Sequence, residues 1–462
     1  MRRSMWQRML LVMVSIGWWG SVEVIESQGQ ICQNNYVCTA DPNTVSADYA
    51  TVGGGGNNTA SGFFSAIGGG GGDPDFFTYG NTASGDYSTI SGGADNLADG
   101  FGASVCGGVD NRASGAYATV GGGGGVFDLF PGGGSFHGNI ASGKGATVGG
   151  GALNRASGDF STIGGGGVPG GDATGFSNRA IGTGSTIGGG AGNMANGAYA
   201  TVSGGGGSET EFLGNTALSD WATVSGGRKN FAKGSRATIS GGTSNTASGF
   251  GSMIPGGYNN LASGNFSFAA GRQARALHNG AFVWADTSPP TFFSTRQNQF
   301  NVRASGGVHV FSNAVATTGV RLLPGSNAWS IASDRALKED FHPLDKQQVL
   351  AKVQQLSIQN WKLRDEAGNV RHVGPVAQEF QTAFGLGSDE RYLHSGDVDG
   401  IALVAIQALA EQVEMLQQKN MELQRQNTAL QMQMSRVLRQ AHTLIIQEQL
   451  SGHGQEVALH RK

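Results

Sequence analysis

One line of sequence recurs along most of this chain: Asn-x-Ala-Ser-Gly-x-(Tyr/Phe)-(Ser/Ala)-Thr-(Ile/Val)-(Gly/Ser)-Gly-Gly. Its asparagine stands at positions 43, 58, 81, 96, 111, 139, 154, 178, 193, 215, 230, 245 and 260. Most steps are 15 residues, and the longer ones add an insertion after the glycine run, as at Asp73–Phe77, Phe127–Pro131 and Glu209–Leu213. Repetition at a fixed period marks a stacked architecture, and a period this short cannot hold a pair of helices. Each unit contains a short alternating run such as Tyr87-Ser88-Thr89-Ile90-Ser91, which suits a strand. The Gly-Gly that follows supplies the positive φ of a tight turn. Ala and Ser at the crowded positions let neighbouring coils approach. The asparagines are free to stack as a ladder at one corner. The pattern predicts one turn of a β-solenoid per unit; at ~4.8 Å per layer, about 13 coils make a rod of ~60 Å.

Composition narrows the alternatives. Glycine supplies 80 of 462 residues but proline only 10, which excludes collagen and proline-rich linkers. A net charge of −3 argues against a nucleic-acid partner. Arg2, Arg3 and Arg8 precede a short apolar run, Met9 to Trp19, which reads as a signal peptide within residues 1–30 and implies a secreted or cell-surface protein. The run is too short for a comfortable membrane span, and no later stretch approaches the ~20 apolar residues of one, so no stable transmembrane domain is expected. Ser21–Ser27 lacks a small-residue cleavage pattern, so an uncleaved anchor is the alternative. Cys32 and Cys38 could pair in an oxidising compartment, and Cys106 is expected at an apolar position of its repeat. The glycine runs 53–56 and 121–125 lack the Lys-Ser/Thr of a phosphate loop and read as turns. His137, His278, His309, His342, His372 and His394 show no ligand spacing, so neither a metal nor a cofactor is expected.

Each coil offers little aliphatic surface, often one Ile or Val and one aromatic. A single thin roll of this kind would be marginal, and trimerisation around a shared apolar face would remedy that. Over residues 43–272 the repeat resembles the head of YadA-like trimeric adhesins, which implies a left-handed parallel β-roll of three chains. It departs from that family in its longer period and in ending on helix and Leu459–Lys462 rather than on a barrel anchor. The insertions carry aromatics and acids at one phase of the repeat, where a carbohydrate or protein ligand of the head could bind.

Residues 273–332 read as a β-rich neck, with short strands around Ala281–Asp286, Asn298–Ala304 and Gly307–Phe311. The pattern then becomes α+β. Val349, Val353 and Leu356 fall at helical spacing, Ile358–Leu363 and Val370–Val373 read as strands, and a helix starts at Pro375. Ile406, Leu409, Val413, Leu416, Asn420, Leu423, Asn427, Leu430, Met434, Val437, Ala441 and Leu444 alternate spacings of three and four, a coiled coil within residues 401–447.

Where the repeats give way to helix lies Ser333-Asp334-Arg335-Ala336-Leu337-Lys338. A serine is a weak nucleophile until a base takes its proton, and a desolvated lysine can be that base. With Ile331-Ala332 before it, Glu339–Leu344 after it, Val373–Glu379 and Asp397–Leu403, this stretch resembles the endosialidase-type intramolecular chaperone family over residues 330–419. The resemblance implies a chaperone domain at 333–400 that directs homotrimer assembly and then removes itself. Ser333 would be the nucleophile and Lys338 the general base of a single-turnover serine autopeptidase acting in cis. The bond cut would be Ala332–Ser333, and Asp334 is a candidate for orienting the pair. Two other readings stay open: a structural adhesin with a permanent coiled-coil anchor, and a phage-type tail spike. The polysaccharide-degrading form of the latter needs paired carboxylates that the repeats do not offer.

Overall fold

A computed structural model describes residues 36–37, 43–71, 80–124, 126–127, 136–167, 177–207 and 214–459. The expected signal peptide, Cys32, Cys38 and the insertions at 73–77, 128–131 and 209–213 lie outside them. The chain divides into two compact units, Met1–Ile331 and Ala332–Lys462.

The first unit is mainly a parallel β-solenoid of about 15 turns. Each coil lays down two strands of two residues, where the repeat predicted one. In the coil that starts at Asn81 these are Thr82–Ala83 and Thr89–Ile90. The first kind of strand builds a 15-stranded sheet and the second a 16-stranded sheet, both with neighbouring coils paired in parallel. Pairing joins like with like: Ala60 to Ala83 to Ala98 in one sheet, Ile67 to Ile90 to Val105 in the other. The sheets run beyond residue 272. Phe268–Gly271 pairs with Phe282–Ala285, and that strand with Phe300–Arg303. The solenoid therefore takes in much of the expected neck, leaving Val308–Phe311, Gly319–Leu322 and Trp329–Ile331 as a separate three-stranded antiparallel sheet.

The core between the two sheets is one coil wide and continuous from Ala50 to Ala285. Alanine faces inward from one sheet and Ile or Val from the other. At the corner stand fully buried asparagines, as expected. Asn96 shows the bonding. Its Nδ2 donates to Asn81 Oδ1 at 3.0 Å and to the carbonyls of Gly92 and Gly108 at 3.1 and 2.8 Å. Its own Oδ1 accepts the backbone N–H of Asn111 at 3.0 Å. The ladder leaves room for nothing else: Gly93 has φ of 91°, and a Cβ there would lie 2.1 Å from the carbonyl oxygen of Gly108.

Two sequence expectations need correction. The aromatic of each repeat belongs neither to a strand nor to the core. Tyr87, Tyr117, Phe160 and Tyr199 sit at φ of 56–62° on the opposite corner, exposed to solvent. Their rings pack on those of adjacent coils, Tyr49 on Phe64 at 4.6 Å and Phe64 on Tyr87 at 5.3 Å. Where a repeat has glycine there, as at Gly184, the next ring lies over it, with Tyr199 Cδ1 2.8 Å from the position of a Cβ. Arg236 fills one gap and sits 5.4 Å from Trp221 and 5.5 Å from Phe250. Cys106, expected to be apolar core, is exposed; Val105 takes the buried register position and Cys106 points outward like Ser91 and Gly121.

The second unit is a small α+β domain. Helix α1 (Lys346–Gln355), a hairpin of Gln359–Trp361 and His372–Gly374, and helix α2 (Ala377–Phe384) precede helix α3 (Ser395–Leu459). Val349, Phe380 and Ile401 bring the three helices together, and Leu350 packs on Ala405 and Ala408. No helix among the described residues is long and apolar enough to cross a membrane.

Removing a rung of the ladder leaves buried amides unpaired, so Asn111→Ala is expected to lower solenoid stability by about 1–3 kcal/mol, read from urea-induced loss of the β circular-dichroism signal. Ser88 Oγ is buried without a partner and sister coils carry alanine there, as at Ala103 and Ala118. Ser88→Ala is therefore expected to leave that midpoint unchanged or raise it.

At the end of the solenoid the Asp286 carboxylate accepts the Ser305 N–H at 2.6 Å and Arg303 Nε at 3.0 Å. Hydrogen bonding from the Ser305 side chain foremost, then from its backbone N–H, with Arg303 adding less, holds it far below the ordinary carboxylate range. A lowered folded-state value adds stability above the unfolded pKa of about 3.9, which is lost as pH falls through the folded value. Melting temperature is expected to fall on acidification below ~4 in the natural chain, and by less in Asp286→Asn.

Candidate active site

Ser333 directly follows the residue at which the second unit begins. Asp334 is the N-cap of a single 3-10 turn, Arg335–Leu337, with its carboxylate accepting the Ala336 N–H at 2.9 Å. A 3-10 turn advances the chain little per residue, so five positions of sequence become a short distance in space. Lys338 leaves the turn in extended conformation and its Nζ donates to Ser333 Oγ at 2.6 Å. The two side chains singled out from sequence are thus brought into direct hydrogen bond. Asp334 does not bridge them; it caps the turn that brings them together, a role its place before a short helix could have signalled.

The surroundings are open. Ser333, Asp334 and Lys338 are all exposed in the single chain. Arg335 stacks its guanidinium 4.5 Å from the centre of the Phe341 ring, and His342 Nε2 lies 2.9 Å from Asp340 Oδ1. The described residues contain no cluster of His, Cys, Asp and Glu able to hold a metal ion. A hydroxyl bonded to an amine is the arrangement of a nucleophile with its base, provided the amine is unprotonated. Water around an exposed ammonium favours the protonated form, and burial favours the neutral one.

Helix α3 sets the second feature. Its buried stripe, Ile401, Ala405 and Ala408, packs on its own domain. The heptad stripe that starts at Ile406 and Leu409 is a different face and is exposed. Contact with the rest of the domain reaches as far as Lys346 Nζ to Glu411 at 2.7 Å and Gln347 to Gln412 at 2.8 Å. Beyond Gln412 every residue of the helix whose burial is described is exposed, and the heptad core positions are apolar apart from Asn420 and Asn427.

Residues 333–385 match the family model described as chaperone of endosialidase, so the match opens on Ser333 itself. The chain carries that domain, after a parallel β-solenoid and the three-stranded antiparallel sheet of Val308–Ile331. The match ends at α2 and its following residue, short of the α3 residues included in the sequence resemblance. No curated protein matches the chain.

Proposed function

We propose that this chain is an exported, trimeric, fibre-like protein whose C-terminal domain is an assembly chaperone that cuts itself away. The observation that carries the reading is the 2.6 Å hydrogen bond from Lys338 Nζ to Ser333 Oγ at the first residue of the chaperone-of-endosialidase domain. The domain itself supports a homotrimer. Helix α3 supports self-association, since its uncharged heptad face lies uncovered in the single chain, while Asn420 and Asn427 in its core leave the number of copies to the domain.

The order of events follows from the energetics. Parallel pairing between distant coils is slow, and a glycine-rich coil gains little before its neighbours are in place. Three α3 helices that join first hold the three solenoids at high effective concentration. Burial of Lys338 on assembly would favour its neutral amine, which would take the Ser333 proton. The Ser333 oxygen would attack the Ala332 carbonyl carbon, and the Ala332–Ser333 amide nitrogen would leave with a proton, giving an ester. Water would hydrolyse that ester to an Ala332 carboxylate and a free Ser333 hydroxyl and amine. Because the dyad would be competent only after burial, cleavage would report assembly. Loss of the chaperone would leave a fibre whose stability is kinetic. A YadA-like adhesive role for the head, with a carbohydrate or protein bound at the insertions, is part of the same reading.

The test is intact mass after expression without residues 1–30. The natural chain is expected to release a fragment of 130 residues (462 − 332), and Ser333→Ala and Lys338→Ala are expected to release none. An intact natural chain that is still trimeric would favour the second reading, a fibre with a permanent coiled-coil anchor, for which the exposed α3 heptads alone suffice.

The cap gives a graded companion. Asp334→Ala removes the acceptor of the Ala336 N–H, worth about 0.5–2 kcal/mol, and is expected to slow release several-fold, whereas Asp334→Asn keeps an acceptor and most of the rate.

A further inference from the structure

The sheet that links the solenoid to Ser333 has two unlike faces. In an antiparallel sheet, residues directly opposite one another project to the same side. Val308 lies opposite Leu322, Val310 opposite Val320, Val320 opposite Ile331, and Leu322 opposite Trp329. One face is thus Val308, Val310, Val320, Leu322, Trp329 and Ile331, with no ionisable side chain among them. The other carries His309, Phe311, Gly319, Arg321 and Ser330.

Half of the apolar face is exposed, while Val308, Val320 and Leu322 are half-buried. Val310 and Trp329 are both 54% exposed and Ile331 is 46% exposed. From Thr295 to Ile331, all described residues, none is buried, and the solenoid core cluster draws in nothing beyond Phe292. A three-stranded sheet needs a packed apolar face to be stable in water. This one has the face and lacks the packing.

We propose that this face is the seam between three copies of the chain, each sheet turning its six apolar side chains toward a common axis. The inference rests on the trimer reading above and adds where the copies meet outside α3. The choice of occupant follows from symmetry. Around a threefold axis running along parallel chains, each residue meets its own copies at the same height. Any charge there faces a like charge, so a surface built to meet itself must be neutral. The apolar face has no ionisable group, whereas the opposite face has Arg321 and His309. The heptad face of α3 obeys the same restriction: its core positions from Ile406 to Leu444 are Ile, Leu, Val, Met, Ala and Asn, and none is charged. A foreign partner would impose no such restriction along two separate elements.

The test uses the full chain carrying Ser333→Ala, so that nothing is released, with Cys32, Cys38 and Cys106 replaced by serine. Val310→Cys is placed on the apolar face and Arg321→Cys on the opposite one. Sedimentation gives the oligomeric state, and a short bis-maleimide followed by denaturing electrophoresis reads proximity. A trimer in which Val310→Cys yields covalent dimers, at least tenfold more than Arg321→Cys, is the expected result. A trimer in which Val310→Cys cross-links no better than Arg321→Cys overturns the seam and leaves the trimer reading intact, whether the thiol is reactive or protected. A monomer overturns both. If Val310→Cys fails to fold, Val308→Cys on the same face gives the same comparison.

Discussion

The solenoid depends on one hydrogen-bonding unit, the buried asparagine amide. In most coils, as at Asn96, it donates along the ladder and to glycine carbonyls of the turns on either side, and accepts the backbone N–H of the next rung. An amide buried without these partners would be costly, so an asparagine in one coil requires an asparagine and correctly placed glycines in the next. Register then propagates along the rod without a thick hydrophobic core. The crowding that gives the ladder its short bonds also dictates the glycine content, because a Cβ at Gly85 or Gly93 would meet the carbonyl oxygen of the neighbouring coil about 2.1 Å away.

A structure held together coil by coil has two problems that its own repeats do not solve: it needs a start and it needs a boundary. Parallel coils pair only after distant residues meet, and a thin rod has little to gain from its first turns. The C-terminal unit contains an element that is complete on a local scale. Helix α3 forms from contiguous sequence, its first turns are held by Val349, Phe380 and Leu350, and the remaining turns present an uncharged stripe. The neck sheet presents a second uncharged face. Both faces are apolar or uncharged and, wholly or in part, exposed in the single chain.

Much of this was legible in the chain. The spacing of the asparagines gave the coils, and their role as a ladder followed from residue type and period. Val349, Val353 and Leu356 marked α1, Pro375 preceded α2, and the alternating threes and fours marked α3. The hexapeptide at 333–338 named the pair that stands 2.6 Å apart. What was misread shares a cause. Tyr87 and its sisters sit in an alternating run and have strand propensity, yet they occupy a corner with φ near 60°, where an isolated aromatic would be strained. The strain is tolerated because stacking on the ring of the next coil compensates, and that neighbour is about 15 residues away. Cys106 was misplaced for the same reason: only the pairing of Val105 with Ile90 shows which of two adjacent residues faces inward.

The sequence by itself determined the period, the asparagine corner, the helices of the C-terminal unit and the serine–lysine pair, because each is set by spacing along the chain. Tertiary structure alone decided which side of the rod is core, where the solenoid ends, and that the neck has an apolar face. Those properties depend on strand pairing between distant segments, and a one-residue shift in pairing exchanges the two faces of a strand.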